Sequence, residues 1–240
     1  MEALEIKTVF VINLAGLSIP ITETVLVSWL VMLILITGSF LITRRLKEVP
    51  AGPQAILETA VDFLNNFARN QFGSFSKYLG PYMGSLFLFL LLSNMISVIS
   101  PAELKAFGRE FIPPLMIRPP TRDINVTAAL ALISILLMLF CGFAARGFTG
   151  WFKRLLHPLP MMLPFNIMEY AIRLISLALR LFGNVLGAFV LMHMIEGLFP
   201  VALPVVFSLY FDFFDGAIQA AIFVFLTSLY ISEAIKVHGE

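Results

Sequence analysis

Arg173 and Arg180 stand seven residues apart in RLISLALRLFGNVLGAFVLM, residues 173–192, a run otherwise apolar enough to be a membrane helix. Two guanidinium groups can hardly both stretch out of so long an apolar segment to reach water. An arginine at mid-bilayer costs roughly 2.5–3.5 kcal/mol on insertion scales, so keeping charge there implies a use for it. At about 100° per residue, Glu169, Arg173, Ser176, Arg180, Asn184 and Gly187 fall within an arc of about 80°. A second stripe, Ser208, Asp212, Asp215, Gln219, Thr227 and Tyr230, runs along one side of the last apolar stretch. Two such stripes, on helices joined by a short turn, are expected to face each other or a shared aqueous gap. A plainer reading is that the charges only glue the two helices together. Serine, glycine or asparagine would do that at lower cost, whereas ionisable groups inside a membrane mark ion paths. Glu169 and Arg173, at i and i+4, can form a local pair. Arg180 is left without an obvious local acid, and its partner is expected on another chain.

The elements that position these groups belong to a bilayer. Hydrophobic residues make up 59% of the 240-residue chain and charged residues only 13%, at a mean hydropathy of +0.93. Soluble domains carry about 25% charged residues. A net charge of +1 gives no footprint for nucleic acid or an acidic substrate. The only cysteine, Cys141, excludes an internal disulfide and a thiolate metal cluster. No cleavable signal peptide is visible at the start, and the first membrane helix is expected to direct insertion.

A membrane helix needs about 20 mostly apolar residues. The pattern predicts an all-α integral membrane protein, read as a single membrane domain over 1–240. Its spans are 24–43, 81–100, 126–145, about 164–199 and 204–235. The last two, framed by Pro200 and Pro204, are predicted to form a long, strongly tilted hairpin. Residues 53–77 are wetter. Ile56, Ala60, Phe63, Leu64, Phe67 and Phe72 fall near helical spacing there, predicting a helix on the membrane surface. Lys and Arg in the loops number nine on the side of the first loop and five on the other. That bias places the N-terminus outside and the C-terminus in the cytoplasm, and a bacterial plasma membrane is the expected location.

With these segments in view, SLALRLFGNVLGA closely resembles the signature of subunit a of F-type ATP synthases. EVPAGPQ, FLFLLLSNMISVISP, PPTRDINVTAALAL, LPFNIMEYAIRLISLALRLFGN and the pair Gln219 and Tyr230 agree in order, over nearly all the chain beyond residue 40. The resemblance implies an ion-translocating stator, with the proton as the expected ion, set against a ring of c subunits. Peripheral-stalk b subunits, the catalytic head and membrane lipid would be its other partners, and nucleic acid would not. In that family the arginine at the position of Arg180 meets the carboxylate of each passing c subunit and separates two half-channels. A guanidinium stays charged at any accessible pH and does not relay protons. Arg180, Asn184, Gln219 and Tyr230 match the family residue by residue. Glu169 fits its cytoplasmic acid, with Arg173 and Ser176 on the same stripe. Asn94, Asp123 and Asn125 fall where the outer half-channel is commonly lined.

The chain also departs from the family. Five residues after the asparagine, where many members carry Glu or His, stands Phe189. Seven before the glutamine, where some members carry His or Glu, stands Asp212, with Asp215 expected one turn on. The outer path is therefore expected to be rearranged around these two aspartates. Gly183 and Gly187 are expected to let a neighbouring backbone approach closely. His157, His193 and His238 read as loop, packed and terminal residues. Trp29 and Trp151 read as interfacial anchors. No phosphate loop, nucleophile triad or metal-ligand set is visible, so neither a cofactor nor ATP chemistry is expected in the chain itself. Two other functions fit a charged hairpin: a self-contained transporter or channel, and an assembly scaffold. Transporters often show inverted repeats and broken helices, and the sequence shows neither.

Overall fold

The computed structural model describes residues 8–14, 17–44, 52–96, 119–156, 159–198, 207 and 209–236. The side chains of Arg154, His193, Glu196 and Asp212 are among those outside this description, as are His157, Ser208 and His238 entirely. The described chain is helical apart from one hairpin. Strands β1 (Thr8–Leu14) and β2 (Leu17–Thr22) pair antiparallel, with Leu14 opposite Leu17 and an irregularity between Thr8 and Phe10. The sequence reading assigned no structure here. The β-branched run TVFVI favours an extended chain, and Pro20 is tolerated because a two-stranded ribbon has open edges.

Six helices follow. They are α1 (Glu23–Thr43), α2 (Pro53–Phe72), α3 (Ser76–Met95), α4 (Ile124–Leu156), α5 (Leu163–Leu198) and α6 (Gly216–Ile235). Among the described residues, five helical stretches are long and apolar enough to cross a membrane. α1 is apolar all round and buries only Thr24 and Val31, as expected of a helix solvated by lipid. The 36 residues of α5 make it about 54 Å long at 1.5 Å per residue. That exceeds a hydrocarbon core of about 30 Å, so α5 must tilt or extend beyond it.

Several boundaries differ from those the pattern predicts. α2 ends at Phe72, a 3-10 turn (Gly73–Phe75) follows, and α3 starts at Ser76 rather than Pro81. Pro81 is the sixth residue of α3 and lies inside the helix, which continues past it despite the backbone bond that a proline forfeits. α3 ends at Met95, and residues 97–100 of the predicted span lie outside the described ones. α4 runs on past Arg146 to Leu156, with a break at Gly147 (φ 69°, ψ 167°), a conformation strained for any other residue. Past the break, Trp151 packs back on Phe143 with ring centres 4.5 Å apart. Ahead of α6 the chain forms a π-helical segment, Leu209–Asp215. Interrupted helices are thus present where the sequence suggested none.

The chain groups into two compact units, each built from three separate stretches. One comprises residues 1–45, 88–126 and 181–220; the other comprises 46–87, 127–180 and 221–240. Each draws on several helices, so neither could be read as a boundary along the sequence. In the second unit α2 lies against α3 through small residues, with the Cβ that Gly80 lacks only 3.4 Å from Ala68 Cβ. Ala68 and Phe72 are buried there, whereas Ile56 and Phe63 are 73% and 70% exposed. α6 joins the same unit through Ser232, whose hydroxyl donates to the Gln71 carbonyl at 2.8 Å.

Candidate functional site

Arg173 is the hub of the second unit. Its Nη2 donates to the carboxylate of Glu169 on α5 and, at 2.8 Å, to Glu233 Oε2 on α6. Its Nη1 lies 3.8 Å from Met138 Sδ on α4, and its guanidinium carbon sits 4.7 Å from the Tyr230 ring centre. The Arg173 side chain is 13% exposed, against 54% for Glu169 and 48% for Glu233. The charge is therefore held between the helices while both acids keep an open side. Sequence reasoning found the Glu169–Arg173 pair and Tyr230 but missed Glu233. Continuing the α6 stripe three residues beyond Tyr230 reaches Glu233.

The first unit holds two polar groupings. Gln219 is buried on α6, and its Oε1 accepts from Asn184 Nδ2 of α5 at 3.4 Å. Its Nε2 has no hydrogen-bond partner among the described residues. A buried donor left unpaired is costly and suits a place where a polar group passes. The second grouping ties α1, α3 and the start of α4 to the segment entering α6. Thr121 Oγ1 donates to Asn94 Oδ1 at 2.7 Å, and Asn94 Nδ2 donates to the Gly216 carbonyl at 3.0 Å. Thr24 Oγ1 donates to Asp123 Oδ2 at 2.8 Å, and the Asn125 backbone N–H donates to Asp123 Oδ1 at 2.9 Å. Asp123 thus caps the N-terminus of α4. It is buried, as are Asn94, Thr121 and Thr24, while the Asn125 side chain is exposed.

Phe189 is held by a cation of the same unit. The Arg122 guanidinium carbon lies 3.5 Å from the ring centre of Phe189. Where an acid or imidazole is common, this chain carries an aromatic ring under a cation. Asp215 is half-buried. The π-helical segment closes through i→i+5 bonds, so three residues fall well short of a turn. The one-turn spacing expected of Asp212 and Asp215 therefore does not hold. The cause is the wider winding before Gly216, which a uniform 3.6-residue period cannot anticipate.

Arg180 takes part in none of these hydrogen bonds or ion pairs. It is exposed on α5, and among the described residues no carboxylate pairs with it. Ser176, one turn earlier, is half-buried. Added Cβ atoms at Gly183 and Gly187 would meet nothing within 4 Å among the described residues. The close approach expected at these two glycines is therefore not made to another described part of this chain. The surrounding exposed residues are apolar, including Ile172, Leu179 and Val190. The residues expected on the two ion paths also sort by unit. Asn94, Asp123, Asn125, Asn184, Asp212, Asp215 and Gln219 belong to the first, and Glu169, Arg173, Ser176, Arg180 and Tyr230 to the second.

Apolar helices that gather their charges into two stripes, with one arginine held by two carboxylates and another exposed on α5, mark an ion-translocating membrane protein. Residues 25–232 match the ATP synthase A chain family, and the chain belongs to that family. It is 35% identical over 216 residues to "ATP synthase subunit a, sodium ion specific" of Propionigenium modestum, covering 90% of this chain and 75% of that one. It is 37% identical over 220 residues to ATP synthase subunit a of Gloeobacter violaceus, covering 91% and 85%. The protein is an integral membrane, ion-translocating subunit of a rotary ATP synthase, and it is not the part that makes or hydrolyses ATP.

Proposed function

We propose that Arg180 is the charge that meets the carboxylates of a partner ring of c subunits, with one ion half-path on either side of it. The observation that carries this reading is the contrast between the two arginines of α5. Arg173 is bound by two carboxylates, whereas Arg180 is exposed among apolar residues with no carboxylate paired to it among the described residues. A permanent cation in such a place needs an anion that the ring would supply. Ser176, Gly183 and Gly187 flank it with small side chains, leaving room for a second helix.

In this reading the cytoplasmic half-path is lined by Glu169, with Arg173, Ser176 and Tyr230 beside it. Glu169 lies eleven residues, about 16 Å along the helix, from Arg180. Asn184, Gln219, Asp215, Asp212, Asn94, Asp123 and Asn125 serve the outer half-path. Each ion crossing gains about 2.3 kcal/mol per 100 mV, and several crossings sum to one ATP on the catalytic head. That head, the b subunits and the ring are the partners. The ion is a proton, so ATP-driven acidification of inverted vesicles is expected to proceed without added sodium. The loop charges support a C-terminus in the cytoplasm of a bacterial cell. Ile56 and Phe63, exposed on α2, support a surface helix resting on lipid.

Arg180→Ala in the whole complex tests the central role. The complex is expected to assemble but to lose both ATP-driven pumping and ion-driven synthesis. Arg180→Lys is also expected to fail, because a point ammonium lacks the planar fork and gives up its proton when desolvated. Near-normal coupled synthesis by the lysine variant would refute the assignment.

A further inference from the structure

The Arg173 guanidinium is shared between two acids. One guanidinium nitrogen, Nη2, serves two carboxylates from two helices, Glu169 of α5 and Glu233 of α6. Arg173 thus has two carboxylates, one from its own helix and one from α6. The guanidinium is pinned on further sides, by the Tyr230 ring at 4.7 Å and by Met138 Sδ at 3.8 Å from Nη1. It therefore remains in place whichever acid it is paired with.

We propose that Glu233 is the standing counter-charge of Arg173, neutralising the guanidinium so that the Glu169 carboxylate stays available to the passing ion. This rests on the reading that Glu169 lines the cytoplasmic half-path. If Glu233 were absent, Arg173 and Glu169 would form a closed neutral pair. Glu169 would then have to break its bond to a permanent cation each time it took up an ion. With Glu233 present, Arg173 keeps a carboxylate throughout, and Glu169 can gain and lose charge at little cost to the cluster. Geometry favours this division of labour. Glu169 and Arg173 sit on one helix at i and i+4, while Glu233 reaches Arg173 from α6. Glu233 acts through Arg173 and is a positioning residue, not a stop on the path.

The test measures ATP-driven ion pumping by the complete reconstituted complex in four forms. Glu233→Gln keeps a hydrogen-bond acceptor for Arg173 but removes the counter-charge. Its flux is expected to fall about tenfold or more, the scale on which an unbalanced neighbouring charge acts on a carboxylate, with the complex still assembled. Arg173→Gln/Glu233→Gln removes one positive and one negative charge and so leaves the net charge around Glu169 as it is in the wild type. Its flux is expected to recover most of the loss. A purely structural clamp predicts the opposite, since losing both partners would loosen α5 from α6 further. Arg173→Gln alone is expected to pump better than Glu233→Gln. Glu169→Gln separates the two levels of the argument. If it pumps normally, Glu169 does not line the path. If it fails while Glu233→Gln pumps normally, only the role of Glu233 is overturned. A double variant no better than Glu233→Gln overturns that role as well, as does loss of assembly in Glu233→Gln.

Discussion

Gly216→Ala is a one-methyl change in which the structure sets both the size and the direction of the effect. The new Cβ would lie 2.9 Å from Asn94 Cβ, with Asn94 backbone atoms at 3.8 and 3.9 Å. Two carbons at 2.9 Å are far inside van der Waals contact, and a Cβ next to backbone cannot swing aside as the tip of a long side chain can. α3 and the start of α6 must therefore separate by roughly half an ångström or more to restore an optimal 3.5–4.0 Å. Overpacking of this kind costs about 1–3 kcal/mol. The same separation strains the 3.0 Å bond from Asn94 Nδ2 to the Gly216 carbonyl, and leaving a buried amide unsatisfied costs about 1–3 kcal/mol more. Alanine's better helix propensity returns about 1 kcal/mol, so the net destabilisation is about 1–5 kcal/mol. Asn94 also holds Thr121, so the strain reaches the corner that starts α4, and pumping is expected to fall with stability. The assay is the temperature at which the purified complex loses ATP-driven pumping, together with the initial pumping rate. Gly38→Ala in α1, where the new Cβ meets nothing within 4 Å, is the control and is expected to change neither. A Gly216→Ala complex indistinguishable from wild type in both readings would refute the close packing of α3 against α6.

Gly183→Leu meets no obstacle among the described residues of this chain, so the subunit is expected to insert while docking to the ring or coupling fails; normal pumping would remove close approach at that point. Asp215→Asn and Asp212→Asn are each expected to slow ion-driven ATP synthesis, and the double variant to lose it; full activity in the double variant would take both aspartates off the outer path. Gly147→Ala forces a side chain into a backbone region nearly reserved for glycine and is expected to cost about 1–3 kcal/mol. That cost is read as a lower thermal limit of the complex with an unchanged initial pumping rate, whereas a rate loss at low temperature would show that the break in α4 acts in translocation itself.

Much of the architecture was legible along the chain because lipid imposes a simple rule: about 20 apolar residues per crossing, with every backbone group satisfied inside its own helix. That rule placed α1 and α5 to within a residue at either end, and the 3.6-residue period put Glu169, Arg173 and Arg180 on one stripe. The family signature followed from the same residues. Local spacing alone could not see the places where another part of the chain decides the outcome. Glu233 lies sixty residues from Arg173, and only the packing of α6 against α5 shows that they share a charge. Asp123 is legible as an acid near the start of α4, but its burial as the cap of that helix, held by Thr24 ninety-nine residues away, depends on the corner formed with α1. The π-helical winding before Gly216 and the approach of Asn94 to that glycine are likewise products of packing, since nothing in a periodic pattern announces a change of period. Sequence determined which residues carry charge into the membrane and on which face of each helix they sit. Tertiary structure decided which of those charges are neutralised within the chain, because a charge inside a low-dielectric medium is governed by its nearest partner, and the partner is set by which helices pack together.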